Sequence, residues 1–334
     1  MNIRVIIVTE GGVNSGFGHI TRCTSLYQAF EDQGVLPEFI VNGDETVKEL
    51  LAGLNFKILN WLKDRGSFLN LLQTIDIVVI DSYHADYDFY RMISEAVRIP
   101  VYIDDNKRID YPSGVVLNGG INADELNYPL RSGISYLLGA QYIFLRKEFR
   151  GVSEKNIIKR EISEVMITFG GDDSKRMTSK ILSVLIKHYP KVIKNVIIGK
   201  GFKNIKELEK LKDAGTNLIY YPDGNGMKKV MLDSDIAISA GGQTLYELAR
   251  VGVPTIAIAT ADNQLNNIEG LKKAGFIEYA GWWEDEAVLQ NIVKKIELLK
   301  DSALRDEMAE IGRSLVDGQG ARRVVEEIIR LRSQ

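Results

Sequence analysis

The chain has 334 residues, with 42 lysines and arginines against 45 aspartates and glutamates, so its formal net charge is −3. This near balance leaves no broad basic surface, and we therefore expect no nucleic-acid partner. The single cysteine, Cys23, excludes a disulfide within the sequence and any metal cluster built on cysteines. At roughly 150 residues per domain, the length predicts about two domains.

The longest apolar runs are the size of strands, and the first residues lead into a predicted strand instead of the apolar core of a signal peptide. We therefore expect a cytoplasmic protein without an integral membrane segment. The sequence leaves its oligomeric state open.

In the first half, short β-branched runs alternate with amphipathic segments, which is typical of a parallel sheet covered by helices. The predicted strands span residues 4–9, 38–41, 75–81, 101–104 and 115–118. The predicted helices span residues 19–33, 44–51, 67–74 and 87–96. This order predicts a doubly wound α/β domain.

The second half begins the same pattern again. Its predicted strands span residues 165–169, 195–198, 218–221, 236–239 and 255–259. The charged stretch 150–156 marks the predicted boundary, and the charged tail from residue 302 reads as helix with a stop and restart at residues 317–320. We predict a first domain at residues 1–155, a second at 156–315 and a C-terminal helix at 316–334 that packs back on the first.

The first βα turn carries the strongest functional signal. An apolar strand runs through a glycine-rich turn that ends in Gly16-Phe-Gly-His19 at the start of a helix. Glycines permit close approach of the backbone to a ligand, and the free N–H groups of a helix N-terminus favour an anion. Unlike the dinucleotide fingerprint, this turn ends in a histidine and not in a third glycine, and an imidazole there can accept a proton from water.

Three turns after strands of the second half carry a related signal, at residues 169–173, 236–244 and 261–264. Open α/β sheets bind ligands at the carboxyl ends of their strands, which is where these turns lie. One such glycine pair is most often only a turn. Three of them on one sheet edge, together with the histidine turn of the first half, favour a ligand site.

The turn at residues 236–244 suits a diphosphate in particular. Gly241, Gly242 and Thr244 offer N–H groups and a hydroxyl at a helix N-terminus. Glu247 lies three residues after Thr244, where its carboxylate can bind a ribose diol or serve as the acid of a capping box. The sequence leaves both roles open.

Simpler roles apply to several other polar residues. We interpret His188 as a solvated residue near a helix end, and His84 as a weaker candidate for substrate contact than Tyr83. The acid pairs at residues 104–105 and 172–173 read as turn formers and helix caps because nothing nearby completes a metal site. No serine lies in a Gly-x-Ser-x-Gly setting, which disfavours a serine hydrolase.

Several motifs occur in a fixed order along the chain. They are Gly16-Phe-Gly-His-Ile-Thr-Arg-Cys23, Val79-Ile-Asp-Ser-Tyr83, Tyr102-Ile-Asp-Asp105, residues 137–149, Thr168-Phe-Gly-Gly171, Ala240-Gly-Gly-Gln-Thr-Leu-Tyr-Glu247, residues 262–264 and residues 317–321. This set resembles the UDP-sugar hydrolases of pseudaminic acid biosynthesis, the PseG/SpsG-like family, which is related more distantly to the MurG glycosyltransferase. The resemblance extends from residue 5 to about residue 325.

The resemblance implies a GT-B architecture, with two Rossmann-like domains facing each other across a cleft and a C-terminal helix that returns to the first domain. It implies a UDP-sugar substrate carrying a 2,4-diacetamido-2,4,6-trideoxyhexose, and UDP as product. The implied reaction cleaves the C–O bond at C1 with inversion and needs neither cofactor nor metal.

The resemblance also implies roles for individual residues. The implied catalytic residues are His19, Tyr83 and Asn263: His19 would orient or deprotonate the attacking water, and Tyr83 and Asn263 would contact the sugar. The implied substrate and nucleotide contacts are Gly16, Gly18, Arg22, Gly170, Gly171, Gly199, Met227, Gly241, Gly242, Gln243, Thr244, Glu247 and Gln264.

Two other functions stay open at this stage. A glycosyltransferase of the same fold would use the same donor site and replace water with an acceptor hydroxyl, and a nucleotide-sugar-binding subunit would lack catalysis. A lipid acceptor would favour an apolar patch on the first domain. The apolar segments 61–62 and 68–72 read more simply as core. The chain departs from the family at Tyr246 and Gln243, which leaves the identity of the sugar open.

Overall fold

A computed structural model describes residues 3–12, 16–152 and 159–332. Packing divides the chain into two compact units. The first domain comprises Met1–Lys147 together with Gly318–Gln334, and the second comprises Glu148–Asp317. Within the predicted boundary at 150–156, residues 153–156 lie outside the described residues.

The first domain is built on a sheet of seven parallel strands. These are β1 (Val5–Gly11), β2 (Glu38–Gly43), β3 (Phe56–Ile58), β4 (Ile77–Asp81), β5 (Ile99–Ile103), β6 (Gly114–Asn118) and β7 (Ile134–Leu138). Their spatial order is β3-β2-β1-β4-β5-β6-β7. The chain therefore builds outward from β1 in one direction and then from β4 in the other, which opens a crevice at the carboxyl ends of these two strands.

Helices cover both faces of this sheet. The first domain contains α1 (Gly18–Asp32), α2 (Val47–Leu50), α3 (Arg65–Leu72) and α4 (Tyr87–Ala96). Every residue of β1 and β4 is buried, as expected for central strands covered on both faces. Ile7 packs into the core shared with α1, whereas Ile6 and Val8 pack on the other side with Trp61 and Phe68.

The second domain repeats the arrangement with six parallel strands. These are β8 (Glu164–Thr168), β9 (Ile193–Ile198), β10 (Thr216–Tyr220), β11 (Ile236–Ala240), β12 (Thr255–Ala259) and β13 (Ile277–Trp282), in the order β10-β9-β8-β11-β12-β13. Its helices are α5 (Met177–His188), α6 (Ile205–Leu211), α7 (Gly224–Asp233), α8 (Thr244–Val251), α9 (Leu265–Lys273), α10 (Val288–Leu298) and α11 (Ser302–Leu315). The switch in strand order lies here between β8 and β11.

The last helix, α12 (Gly320–Arg332), belongs to the first domain. Val324 and Ile328 lie in the same buried core as Leu26 and Phe30 of α1. The predicted break at residues 317–320 is confirmed, since α11 ends at Leu315 and Gly318 adopts a positive φ of 79° before α12 begins.

Two parallel-sheet α/β domains confirm the predicted fold class, but the sequence analysis missed three strands. β3, β7 and β13 lie at sheet edges, and most of their residues are only partly buried. The predicted helix at residues 44–51 was also too long, because α2 contains only four residues.

The apolar segments of the first domain are core, as predicted. The side chains of Trp61 and Phe68 are fully buried, and Trp61 Nε1 donates to the carbonyl oxygen of Thr9 at 3.0 Å. No helix in the described ranges combines the length and the apolar character needed to cross a bilayer.

Candidate functional site

The crevice of the first domain brings together side chains from three neighbouring strands. Glu10 lies near the end of β1, Asp81 is the last residue of β4, and Asp105 follows β5 by two residues. His19 lies in the first turn of α1, directly after β1. Carboxylates and an imidazole therefore meet at the edge where open α/β sheets bind ligands.

His19 forms a hydrogen bond with Asp81, whose carboxylate is fully buried. The His19 Nδ1 atom lies 2.7 Å from Asp81 Oδ1. A carboxylate only accepts, so Nδ1 carries the proton in this pair, and in a neutral imidazole the lone pair then lies on Nε2. This is the arrangement that a general base requires, with a carboxylate fixing the tautomer and the orientation of the ring.

Arg22 keeps Asp81 ionised. Its Nε and Nη2 atoms donate to the two oxygens of Asp81, forming a bidentate pair. Burial opposes ionisation of Asp81, but Arg22 and then His19 more than offset it, so the pKa of Asp81 lies well below its usual value. The two neighbouring carboxylates outweigh burial at Arg22 and raise the pKa of its guanidinium.

The same guanidinium joins Asp81 to a second carboxylate. Arg22 Nη1 lies 2.7 Å and 2.9 Å from the two oxygens of Asp105. The Tyr83 hydroxyl donates to Asp105 Oδ2 at 2.5 Å. The rings of Tyr83 and His19 pack edge to face, with centroids 4.6 Å apart. A continuous chain of hydrogen bonds thus runs from Tyr83 to His19.

Glu10 fixes the turn that carries Tyr83. Its Oε1 accepts from the backbone N–H of Tyr83 at 2.9 Å, and its Oε2 accepts from the Ser82 hydroxyl at 2.7 Å. The Ser82 oxygen accepts in turn from the backbone N–H groups of His84 and Ala85, both at 3.0 Å. Glu10 is buried, and its two hydrogen bonds hold this turn in place.

Cys23 lies beneath this network and is fully buried. Its thiol points to Asp81 Oδ2 at 3.4 Å. Burial and then the neighbouring carboxylate raise the pKa of the Cys23 thiol, so it stays protonated. Cys23 is therefore a packed thiol.

In the second domain, the glycines after β8 pack closely against the loop after β9. Gly170 has a positive φ of 73°, and the N–H of Gly201 donates to the carbonyl oxygen of Gly171 at 2.8 Å. A side chain at Gly199 would collide with the Gly171 backbone. Gly170, Gly171 and Gly199 therefore lie close together, and the close packing of the two loops by itself requires a glycine at position 199.

The helix after these glycines is closed to an anion. Asp173 accepts from the backbone N–H groups of Met177 and Thr178 at 2.9 Å and 3.0 Å, which satisfies the first turn of α5. Burial raises the pKa of Asp173 despite these bonds. At the start of α8, the backbone N–H groups of Leu245 and Tyr246 donate to the carbonyl oxygens of Gly242 and Gln243 at 3.0 Å and 3.1 Å.

Gln264 holds the turn before α8 in place. Its Oε1 accepts from the backbone N–H of Gly241 at 3.2 Å and from that of Thr260 at 2.9 Å. A Cβ on Gly241 would collide with the Ile268 side chain, whereas a Cβ on Gly242 would meet nothing. Gly242 therefore lies where a ligand has room, while Gly241 and Gln264 tie two loops together.

Thr244 is the first residue of α8, so Glu247 lies one position beyond the acid of a capping box. Glu247 and Met227 are buried, and Asn263 is exposed in a short 3-10 turn at Asp262–Gln264. His19, Tyr83 and Arg22 belong to the first domain, whereas Asn263 and the glycine turns of residues 170–171 and 241–242 belong to the second.

The two neighbouring acids Asp104 and Asp105 have different roles. Asp104 accepts from Tyr128 at 2.7 Å and from the backbone N–H groups of residues 106 and 108, which is the turn role expected of it. The turn assignment was wrong for Asp105, whose oxygens bind Arg22 and Tyr83. Within the described ranges, no three histidine, cysteine, aspartate or glutamate side chains are arranged to hold a metal ion.

Sequence reasoning did not assign Asp81, Asp105 and Glu10 to the site. All three lie at or just beyond strand ends, and two of them lie in motifs that carry the family resemblance. The missing step was their register: Thr9 pairs with Asp81, and Asp81 pairs with Ile103, so the three strand ends meet. Acidic side chains at the C-terminal ends of adjacent parallel strands are the sequence signal that could have identified these three residues.

The second domain is similar to a domain of known glycosyltransferases. Residues 164–321 match the Glycosyltransferase family 28 C-terminal domain. Across 98% of this chain and 99% of its own, the crystal structure of Acinetobacter baumannii MurG superimposes with a TM-score of 0.68 at 15% sequence identity. The fold is therefore that of GT-B proteins.

Three curated relatives align over most of the chain. The Spore coat polysaccharide biosynthesis protein SpsG of Bacillus subtilis is 24% identical, over 96% of both chains. The Helicobacter pylori Pseudaminic acid cytidylyltransferase and UDP-2,4-diacetamido-2,4,6-trideoxy-beta-L-altropyranose hydrolase is 25% identical, over 82% of this chain and 48% of its own length. An uncharacterized protein of Methanocaldococcus jannaschii is 26% identical, over 77% and 55%. The chain thus spans about half the length of two of these relatives.

Proposed function

We propose that the protein is a nucleotide-sugar hydrolase in which His19 activates the attacking water. The observation that carries this proposal is the bond between His19 Nδ1 and Asp81, which leaves Nε2 as a proton acceptor at the carboxyl edge of the sheet. Water attacks C1 of the sugar as its proton passes to His19, and the bond from C1 to the phosphate oxygen breaks. UDP leaves with the bonding electron pair.

The turn before α8 is the proposed diphosphate site. Gly242 leaves space for a ligand beside the N-terminus of α8. Backbone N–H groups at a helix N-terminus stabilise a diphosphate anion. Since UDP already leaves as a stabilised anion, the reaction needs a base for water and donors for the diphosphate more than a second carboxylic acid.

The printed names of two relatives support a proposal for the sugar class. The H. pylori relative is named for hydrolysis of a UDP-2,4-diacetamido-2,4,6-trideoxy sugar, and SpsG for polysaccharide biosynthesis. We propose a UDP-2,4-diacetamido-2,4,6-trideoxyhexose as substrate and inversion at C1 as outcome. The contacts proposed from the family resemblance, by Tyr83 and Asn263 to the sugar and by Gly241, Gly242, Gln243, Thr244 and Glu247 to the nucleotide, belong to the same proposal.

The test is release of UDP from a panel of UDP-sugars without an acceptor. We expect release by the wild-type protein, loss of it in His19→Ala, and no loss in the control His188→Ala, because His188 is exposed at the end of α5. In water enriched with oxygen-18, the label should enter the sugar. Label in UDP would instead show attack at phosphorus and refute the proposed bond cleavage.

A glycosyltransferase is the second candidate. The match of residues 164–321 to the Glycosyltransferase family 28 C-terminal domain favours it, because that domain would hold the same donor. In this case UDP-sugars would bind without release of UDP until an acceptor hydroxyl is supplied. Release that never occurs with any acceptor, despite binding, would instead indicate a nucleotide-sugar-binding protein without catalysis.

A further inference from the structure

The guanidinium of Arg22 is hydrogen-bonded to two carboxylates. Each of its three nitrogens donates to Asp81 or to Asp105, and the side chain is only 16% exposed. A phosphate would therefore have to displace an existing ion pair to bind Arg22. The crevice around His19 also contains the buried Glu10, which adds negative charge. This edge suits an uncharged group better than a diphosphate.

Tyr83 is oriented by the same ion pair. Arg22 holds both oxygens of Asp105, and the Tyr83 hydroxyl donates to one of them at 2.5 Å. Partial burial and then the charge of Asp105 raise the pKa of Tyr83, so the phenol keeps its proton. A phenol has a single proton. Because Asp105 accepts it, the Tyr83 oxygen offers only lone pairs to a ligand.

We infer that Tyr83 determines sugar specificity by accepting a hydrogen bond from an N–H or O–H group of the sugar, and that Asp105 is the positioning residue that fixes this direction. The inference rests on the proposed function, since it assigns the chemical group that the sugar presents beside His19. The site selects a donor-bearing sugar, such as one with acetamido N–H groups or a free hydroxyl, over an analogue that offers only acceptors there.

The experiment compares kcat/KM for UDP-2,4-diacetamido-2,4,6-trideoxyhexose with three analogues. Two replace one acetamido N–H by an ester oxygen, at C2 or at C4, and the third replaces the 3-hydroxyl by fluorine. Wild-type protein should prefer the parent over one analogue by about tenfold, the worth of one hydrogen bond that is lost. The analogue that is disfavoured identifies the group as an amide or a hydroxyl.

Variants distinguish an effect on the direction of the hydrogen bond at Tyr83 from a general loss of activity. Tyr83→Phe should bring that ratio close to one and leave the ratios for the other two analogues unchanged. Asp105→Asn should also lower the ratio, because an amide can donate to the phenol oxygen and turn the phenol proton toward the sugar. Tyr87→Phe is the control, since Tyr87 is an exposed tyrosine at the start of α4. Equal losses for all four compounds in Tyr83→Phe would overturn the inference.

Failure of the proposed function is distinguishable from failure of this inference. If the wild-type protein releases no UDP, the same four compounds are compared by their dissociation constants, with UDP alone as reference. A donor preference that depends on Tyr83 would then survive without hydrolysis. Release of UDP with no preference among the four compounds would contradict the inference about Tyr83 but would agree with the proposed hydrolase function.

Discussion

His19 Nδ1 and Asp81 Oδ1 lie 2.7 Å apart, although 62 positions separate the two residues along the chain. The register of β1 and β4 produces this pair, since it sets the end of β4 beside the strand that leads into α1. A fixed tautomer and a fixed ring orientation are the functional result.

Asp81→Asn should lower kcat for UDP release by about 10²- to 10⁴-fold, the usual contribution of an oriented general base. An amide in this position can donate to Nδ1, which would move the ring proton to Nε2 and leave no base for water. The measurement is steady-state release of UDP. Asp88→Asn, an exposed carboxylate on α4, serves as control. Unchanged kcat in Asp81→Asn would remove His19 from the role of base.

Asp81 should also make stability depend on pH. Its pKa is lower in the folded protein than in the unfolded chain, where it is about 3.9. Its contribution to the free energy of unfolding is therefore complete above about pH 4 and is lost as pH falls toward the folded pKa. We expect wild type to exceed Asp81→Asn by about 3 kcal/mol at pH 7 and pH 5, and by less below pH 4.

Urea unfolding can measure this difference in stability for the first domain alone. The chain has three tryptophans, and Trp61 is the one in the first domain. In a Trp282→Phe/Trp283→Phe background, its fluorescence follows the domain that contains Asp81. A stability difference that stays constant down to pH 3 would contradict the pKa assignment.

Gly241 and Gly242 should respond differently to the same substitution. Gly241→Ala would drive a Cβ into Ile268 and to 2.9 Å from Gln264 Cβ, which should cost about 1–3 kcal/mol of stability. Gly242→Ala meets no protein atom and should change stability by less than about 0.5 kcal/mol. Weaker UDP binding in Gly242→Ala, measured by calorimetry, would then reflect the ligand alone. Unchanged UDP affinity there would place the diphosphate elsewhere.

Arg305 should be a strong determinant of stability in the second domain. It is completely buried, and its guanidinium donates to the carbonyl oxygens of Leu299, Lys300, Lys159 and Arg160. Arg305→Met would remove the donor from these four carbonyl groups, and the loss at the buried Leu299 carbonyl alone should cost about 1–3 kcal/mol. Thermal unfolding should show a clearly lower Tm, whereas Arg322→Met, which breaks an exposed ion pair on α12, should change it little. Equal shifts would contradict this role.

The fold was predictable because its central strands are continuous apolar runs. β1, β4, β8 and β11 are buried on both faces, and covered strands leave this pattern in the sequence. Edge strands are only partly covered, and of these β3 and β7 were missed whereas β10 was predicted. Alternation of strand and helix was enough to predict the class, but not the number of strands.

The candidate site was predictable only in part. Gly16-Phe-Gly-His19 is local in sequence, and its glycines and helix start directly indicate a ligand turn. The partners of His19 are not local: Asp81 and Asp105 reach it through strand register and through Arg22. A pattern along the chain does not contain register, so the carboxylates that orient the histidine and the tyrosine emerged only from the three-dimensional arrangement.

The position of α12 has a consequence for how the chain folds as it is made. The helix fills part of the core beside α1, yet the whole second domain precedes it in the sequence. Domains generally fold in order from the N-terminus during synthesis. Here the first domain must wait, with the α1 surface uncovered, until its last helix has left the ribosome, so the second domain can finish folding before the first.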